Sequence, residues 1–563
     1  MLSSLTLVLS GQAGQGLKTI ETLIVNATKQ QYHVFSTTEV MSRVRGGNNT
    51  VEIRISSNKV YAFKDKIDVL FLLNNNAYDR ISERITDQTL IFGEIDFLPD
   101  TVKASLGKPY ETLSIQSLAK ESGNTLYGNT VIFGFISGLL NLDKAFGKDL
   151  LAKKFGSKSE NVLKGNHIAY ELGYVKGQKF SHVNTVKTCY DVKENKIING
   201  TEAIAIGALA GGVNYISSYP MSPATGVLQF LASKSNEFDI IVEQAEDEIA
   251  ALNMVIGAWY AGARAMATTS GGGFALMEEA VSLASITETP AVVHVAQRPG
   301  PGTGLPTRTE QGDLNLLVYA GHGEFPRIIL APGTLEEGIL LTQRAFYLAD
   351  KFQIPVFILS DQYYLDSKAP VTPVTLDEEA LKSFVVPSKK NYLRYKFTEN
   401  GISPRSIPGF GDGLVKCDSD EHDEEGTITE DFNVRIKMND KRLGKENLIL
   451  QDYIAPELVG PKNYKKLIIG WGSTYGVVKE AIESNPVSET AFLHIKEVFP
   501  LHKSIKAFAL DGIKIAVIEN NARGQLADLL KLHLSIYADE RLLKYNGAPF
   551  TIEEVTHFIK EVF

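Results

Sequence analysis

Apolar residues along this chain come in short unbroken runs separated by glycine turns and helical patterns, as expected of parallel strands buried on both faces. Leu5–Leu9 is the first such run; it enters G-Q-A-G-Q-G (Gly11–Gly16) and a helix expected from about Leu17 to Gln30. Val34–Val40 and Met41–Ser56 set alternating β-branched residues around Arg45-Gly46-Gly47, and Ile67–Asn76 and Thr89–Asp96 read as buried parallel strands. A polar run from about Lys187 to Ile198 reads as a linker, after which Asn199-Gly200 opens an Ala/Gly-rich helix. Tyr215–Tyr219 reads as a strand leading into Pro220 and Pro223, which fix the backbone and end regular structure. Val242–Ala258 reads as the first turns of a helix, with Glu243, Glu246, Asp247 and Glu248 at its start and Ile249, Leu252, Ile256 and Trp259 at helical spacing. A strand-like Ala265–Thr269 enters Gly271–Gly273, and the buried strand Ala291–Gln297 breaks into the loop Arg298–Leu314. Arg327–Thr334 and Ile354–Tyr364 complete a doubly wound sheet. A polar connection follows, then two strand–turn–helix repeats at Lys465–Gly476 and Ile515–Leu526. The expectation is a multidomain α/β chain: a Rossmann-like domain at 1–184, a linker at 185–198, a doubly wound domain at 199–370, a connecting segment at 371–455 and a last domain at 456–563.

Length and composition narrow this picture. The chain has 563 residues, enough for three or four domains of ordinary size, and is 44% hydrophobic. A formal net charge of −9 argues against nucleic acid as a partner. The two cysteines, Cys189 and Cys417, are too far apart in sequence to suggest a ligand pair and too few for a four-thiolate cluster, so no metal is expected on this chain and any iron–sulfur centre belongs elsewhere. The opening M-L-S-S-L-T-L-V-L-S-G lacks a basic n-region, and no apolar run approaches membrane-spanning length. A soluble, cytoplasmic protein without a membrane partner is expected.

Several stretches carry candidate chemistry. G-Q-A-G-Q-G between a strand and a helix would present backbone N–H groups to a phosphate, or would simply make a tight turn; its spacing does not match the dinucleotide fingerprint. Carboxylates near a helix start are usually solvated dipole partners. Glu248 stands apart because a small-residue helix, a short strand and a triple glycine follow it. Arg298 and Arg308 lie in a Gly/Pro loop after a buried strand, where open α/β sheets bind ligands, and a guanidinium can grip a carboxylate through two hydrogen bonds. Gly411-Asp412-Gly413, with Asn439 downstream, mimics a diphosphate–magnesium motif but lacks the preceding strand and following helix. The acidic run Asp418–Glu425 with His422 reads as a solvated or interdomain loop.

The set Y-P-M-S-P-A-T (Tyr219–Thr225), E-D-E-I-A-A (Glu246–Ala251), T-T-S-G-G-G (Thr268–Gly273) and T-G-L-P-T-R-T-E-Q-G-D-L (Thr303–Leu314) closely resembles the alpha subunit of 2-oxoacid:ferredoxin oxidoreductases, most of all the 2-oxoglutarate type. The glycine loop and Arg45-Gly46-Gly47 resemble the gamma domain of the same enzymes, fused at the N-terminus up to about Val183. The resemblance makes 199–370 a thiamine diphosphate pyrimidine-binding domain and 456–563 a transketolase C-terminal-like domain. It implies that Glu248 activates the cofactor and that Ser222, in a turn with Tyr219, Pro220 and Pro223, touches thiamine and substrate. It further implies that Gly272 borders the cofactor and that Thr307 and Arg308 hold a substrate carboxylate. Gly14, Gln15, Gly16 and Arg45 would face coenzyme A. A beta subunit would carry the diphosphate, Mg2+ and a [4Fe-4S] cluster in an (alpha-beta)2 assembly that passes electrons to ferredoxin. Pyruvate or branched-chain 2-oxoacids remain open as substrates, as does a non-oxidative thiamine diphosphate decarboxylase or synthase.

Overall fold

In the computed structural model, which describes residues 3–12, 14–41, 47–79, 81–94, 96–98, 100–105, 110–485 and 489–563, the first apolar run becomes the strand Ser4–Gln12. It pairs antiparallel with Asn48–Ser56 on one side and parallel with Val69–Leu72 on the other. Because side chains alternate between the faces of a strand, Leu5, Leu7 and Leu9 enter one core with the helices Leu17–Thr28 and Gly128–Leu139, while Val8 enters a second core with Leu70, Leu72 and Ile91. A sheet with a core on each face explains the unbroken apolar runs.

The chain divides into two units: residues 1–198 with 366–373 and 551–555, and residues 199–365 with 374–550 and 556–563. The first unit holds an eight-stranded sheet in the order Glu111–Thr112, Leu90–Gly93, Val69–Leu72, Ser4–Gln12, Asn48–Ser56, His33–Glu39, Lys368–Val371, Lys196–Asn199. Lys196–Asn199 and Lys368–Val371, from stretches that read as linker and as the end of the central domain, are thus strands of this sheet. Lys368 brings its ammonium 2.9 Å from the buried carboxylate of Glu21, which also accepts the Ser36 hydroxyl at 2.7 Å.

Two helices of this unit, Gly128–Leu139 and Glu160–Gln178, pack unusually closely. A Cβ at Gly134, Gly138, Gly173 or Gly177 would lie under 3.0 Å from a backbone carbonyl oxygen of the facing helix, of Tyr170, Tyr174, Val131 and Phe135 respectively. In the loop Gly11–Gly16 the Gln15 side chain ties the loop to itself and to the end of a neighbouring strand, accepting from Gln12 N at 2.6 Å and donating to Leu73 O at 3.2 Å. Gly14 and Gly16 adopt φ of 90° and 76°, and Asn129 donates to Gln15 O at 2.8 Å. Arg45, paired with this loop in the sequence reading, lies outside the described residues.

The second unit holds a seven-stranded sheet in the order Glu497–Phe499, Ile328–Leu330, Pro355–Asp361, Ala291–Gln297, Ala265–Ser270, Tyr215–Ser218, Ile241–Gln244, parallel except for Glu497–Phe499. The segment expected to be helical from Val242 is instead an edge strand, with Glu243 exposed on it, and the helix begins at Glu248. The β-branched pair Ile241-Val242 matches Tyr215-Ile216 across the sheet, and Asp247 sets the start by accepting Ala250 N at 2.7 Å. Leu252, Ile256 and Trp259 are buried, whereas Ile249 is 51% exposed.

The polar connection also holds a helix that hydrophobic periodicity did not announce, Phe432–Gln451. Ion pairs dock it: Lys441 and Lys445 reach Glu288 at 2.5 and 2.6 Å, and Arg442 reaches Glu421 at 2.8 Å. The acidic run is therefore partly buried, because Glu421 receives that helix and His422 lies under the Tyr395 ring with centroids 3.8 Å apart. A five-stranded sheet, Glu457–Val459, Thr490–Ile495, Lys466–Trp471, Lys514–Glu519, Glu540–Leu543, completes the unit. Among the described residues no helix is long and apolar enough to cross a membrane.

Candidate cofactor and substrate site

Five neighbouring parallel strands bring the sequence motifs to one edge of the seven-stranded sheet. Ser218 pairs with Gln244, Ser270 with Ala296 and Gln297 with Asp361, so the segments that follow, Tyr219–Pro223, Glu248, Gly271–Gly273 and the loop from Arg298, all leave the same C-terminal edge.

Glu248 opens its helix with a side chain that is buried at 3% exposure. Its Oε1 has no hydrogen-bond partner among the described residues, and the same holds for Thr269 Oγ1 and Ser270 Oγ on the adjoining strand. A Cβ at Gly273 would lie 2.7 Å from Glu248 Oε1, so glycine there lets the carboxylate sit against the backbone. Leaving such an oxygen unpaired costs about 1–3 kcal/mol, a standing deficit that an external donor would remove. At Gly272 a Cβ would meet only Gly302 O, at 3.7 Å.

The Tyr219–Pro223 turn is held from the neighbouring loop. Ser222-Pro223 is a cis peptide, and Arg298 donates to Ser222 O at 2.7 Å and approaches Met221 Sδ at 3.6 Å. Arg298, one of two arginines able to bind a carboxylate, is thus committed to the turn. The Ser222 side chain and Tyr219 are exposed, and Pro220 and Pro223 are half-buried. Asp313 stands beside Gly271, where an added Cβ would meet its carboxylate under 3.0 Å away. Burial and the nearby Glu310 push the Asp313 carboxyl up to about 6, with Arg298 pulling the other way.

Thr307 and Arg308 are half-buried further along this loop, and burial lowers the Arg308 guanidinium from the usual arginine value. Thr309 anchors them by donating to Asp361 Oδ1 at 3.0 Å. Gln311 ties the loop to both glycine turns of the five-stranded sheet, donating to Trp471 O at 2.9 Å and exchanging backbone and side-chain bonds with Asn520. Gly14, Gln15 and Gly16 belong to the first unit.

Residues 206–441 match the family described as Pyruvate flavodoxin/ferredoxin oxidoreductase, thiamine diP-bdg, and residues 6–175 the one described as Pyruvate ferredoxin/flavodoxin oxidoreductase. A 2-oxoacid:ferredoxin oxidoreductase subunit alpha from a Sulfolobus species is 30% identical, with 99% of this chain and 97% of the relative aligned. The chain belongs to the 2-oxoacid:ferredoxin oxidoreductase family. A 2-oxoglutarate synthase subunit from Archaeoglobus fulgidus is 37% identical over 37% of this chain and 62% of its own length. A solved 2-oxoglutarate:ferredoxin oxidoreductase from Magnetococcus marinus, with 2-oxoglutarate, coenzyme A and succinyl-CoA bound, is 30% identical and matches with a TM-score of 0.92, covering 100% of both chains.

As an oxidoreductase of this family, the chain carries a thiamine diphosphate-binding domain, and the donor set fits that cofactor. Among the described residues a buried carboxylate oxygen and two buried hydroxyls near the open backbone at Gly272 lack partners, and an aminopyrimidine ring offers the mixed donors and acceptors that satisfy such a set. Thr269, Ser270 and Asp313 lie within the motifs but carry no sequence signal of their own beyond the hydroxyl pair directly before the triple glycine, which points to the first two. Gly411-Asp412-Gly413 is a turn stitched to Ser388, with Asp412 N 2.8 Å from its carbonyl and Gly413 N 3.1 Å from its hydroxyl, and Asn439 sits on the ion-paired helix.

Proposed function

We propose that this chain is the cofactor-activating subunit of an enzyme that oxidatively decarboxylates 2-oxoglutarate, with coenzyme A as acyl acceptor. Each turnover would release carbon dioxide and succinyl-CoA and pass two electrons singly to ferredoxin. The observation that carries the reading is the buried, unpartnered Oε1 of Glu248 beside Gly273. When bound, thiamine diphosphate supplies a nucleophilic carbon for the oxo group and a sink for the electron pair left as carbon dioxide departs. Glu248 holds the ring through its nitrogen and favours the tautomer from which that carbon is deprotonated. Tyr219, Pro220, Ser222 and Pro223, braced by Arg298, form the wall that orients the substrate, and Gly272 keeps backbone clear of the cofactor. Thr307 and Arg308 take the distal carboxylate of a dicarboxylic substrate.

In this reading residues 1–184 are the gamma-type domain, joined through 185–198 to the pyrimidine-binding domain at 199–370, the connecting segment at 371–455 and the transketolase C-terminal-like domain at 456–563. The Gly14–Gly16 loop receives coenzyme A, Gly14 being the position where an added Cβ would find nothing within 4 Å. A beta subunit brings the diphosphate site, Mg2+ and a [4Fe-4S] cluster in a cytoplasmic (alpha-beta)2 assembly. The edge strand Ile241–Gln244, with Ile241 at 64% exposure, and the following helix, with Ile249 at 51%, support a protein partner next to Glu248.

The test is anaerobic co-expression with the beta subunit and coenzyme A-dependent viologen reduction with 2-oxoglutarate, pyruvate and 2-oxoisovalerate in parallel. Reduction with 2-oxoglutarate alone supports the reading. A preference for either other substrate overturns the dicarboxylate assignment, and no reduction from a loaded, intact complex overturns the activity.

A further inference from the structure

In the first unit, outside the residues assigned a role above, three side chains of metal-binding type converge. The ligand atoms of His33, Cys189 and Asp191 all lie within 4.8 Å of one another. His33 Nε2 stands 3.3 Å from Asp191 Oδ2, and the Cys189 thiol is hydrogen-bonded to Asp191 Oδ1. A nitrogen and an oxygen each bound at about 2.0–2.1 Å to one tetrahedral ion are separated by about 3.3 Å, so two of the donors already stand on an edge of that tetrahedron.

The backbone, not an ion, sets this arrangement. Cys189 N donates to Gln31 O at 2.7 Å, two residues before His33. On one side Asn184 donates to the Tyr32 hydroxyl at 3.0 Å; on the other, Lys29 donates to Lys193 O and Asn195 O at 2.5 and 2.8 Å. The segment carrying Cys189 and Asp191 is therefore fastened on both sides of the cluster, and the entropy of bringing together donors distant in sequence is met by folding. The His33 side chain is 12% exposed and that of Asp191 is 65% exposed, which leaves the open side to water.

We propose that His33, Cys189 and Asp191 form a Zn2+ site with its fourth position taken by water. One nitrogen, one sulfur and one oxygen donor suit a borderline-soft ion and not the all-oxygen shells of Mg2+ or Ca2+. A neutral imidazole, a thiolate and a carboxylate also balance the ion's charge. The cysteine that finds no partner in Cys417 finds a histidine instead, and the bound ion clamps the segment before the strand Lys196–Asn199 onto the start of His33–Glu39.

The test uses the untagged chain in its assembled complex, stripped with chelator and titrated anaerobically with Zn2+, and with Co2+ as a spectroscopic stand-in read as the difference between cobalt- and zinc-loaded samples, so that the absorption of the partner's iron–sulfur cluster cancels. Expected are one Zn2+ per chain retained through gel filtration and a thiolate-to-cobalt absorption band. Cys189→Ser and His33→Gln should weaken binding by about two orders of magnitude and abolish the band, while Cys417→Ser leaves both intact. Should either buried-side variant fail to assemble, Asp191→Asn, at the exposed corner, carries the comparison, and Zn2+ should raise the melting temperature of the parent more than that of the variant. Equal stoichiometry and affinity in Cys189→Ser, or a cobalt spectrum without the thiolate band, would mean a hydrogen-bonded His–Asp–Cys cluster and would overturn the proposal.

Discussion

In the first unit, a methyl group added at Gly134, Gly138, Gly173 or Gly177 would strike a backbone carbonyl of the facing helix, whereas one added at Gly272 would find its nearest atom 3.7 Å away. Both places are glycine-rich and both are set among buried strands and helices. At the helix pair the missing side chains are filled by the neighbouring backbone, so the glycines close space. At the sheet edge Gly272 keeps space open while Gly271 and Gly273 let the Asp313 and Glu248 carboxyl groups sit against the backbone, and Glu248 Oε1, Thr269 Oγ1 and Ser270 Oγ lack partners among the described residues. One region is closed backbone to backbone; the other holds a deficit of the sort expected where a ligand completes the structure.

Substitutions should separate the two. The largest effect expected is on turnover: Glu248→Gln in the assembled enzyme lowers kcat by about 10²–10⁴-fold while thermal stability is nearly unchanged, since the amide keeps the shape of the buried side chain and replaces an oxygen without a partner among the described residues. Steady-state rates beside melting curves check this, and near-normal turnover would remove Glu248 from its role. Gly177→Ala should act the opposite way, costing stability toward the upper end of about 1–3 kcal/mol because a backbone oxygen cannot yield as a side chain can. Denaturant unfolding reads it, and an unchanged midpoint would show that the helices can part cheaply.

Asp313 sharpens the contrast through pH. Its folded value of about 6 lies above the ordinary carboxylate value, so ionising it opposes folding: its contribution is fully present below about pH 4 and is lost as the pH rises through 6. Asp313→Asn should therefore match the parent in acid and exceed it by about 2–3 kcal/mol at neutral pH. A difference between the two that does not vary with pH would contradict this. Arg308→Lys should cost about 10–100-fold in kcat/KM for 2-oxoglutarate and much less for pyruvate, since an ammonium cannot reproduce a two-pronged grip. The smallest expected change in stability is at Gly272→Ala, within about 1 kcal/mol of the parent, because the position has room. Thiamine diphosphate retention on dialysis should nevertheless fall, and unchanged retention would place the cofactor away from Gly272.

Much of the fold could be read along the chain because the strands are buried on both faces and therefore appear as unbroken apolar runs ending in glycine turns. Reading failed where other forces set the structure. The helix Phe432–Gln451 docks through Lys441, Arg442 and Lys445 instead of an apolar stripe, so no 3.6-residue period marked it. The carboxylates near Glu248 suggested a longer helix, yet pairing with Tyr215–Ser218 claims Ile241–Gln244 as strand. The close-packed helix pair carries glycines four apart that look like weak helix positions until the facing carbonyls are seen. At the candidate site the order of the motifs was legible, but the commitment of Arg298 to Ser222 O, and the meeting of Asp313 with Gly271, depend on neighbouring strands that sequence order does not place in space.

The strand Lys368–Val371 sets a timetable for the first unit. It is made roughly 170 residues after Ile198 closes the contiguous N-terminal part of that unit. At a synthesis rate of about 5–20 residues per second, the strand His33–Glu39 stands as a bare sheet edge for about 10–30 s. During that interval Glu21 is without the lysine that neutralises it. The N-terminal part of the chain therefore emerges first but is finished late, and its ribosome-bound form is the stage at which a chaperone, or an aggregating neighbour, has its opening.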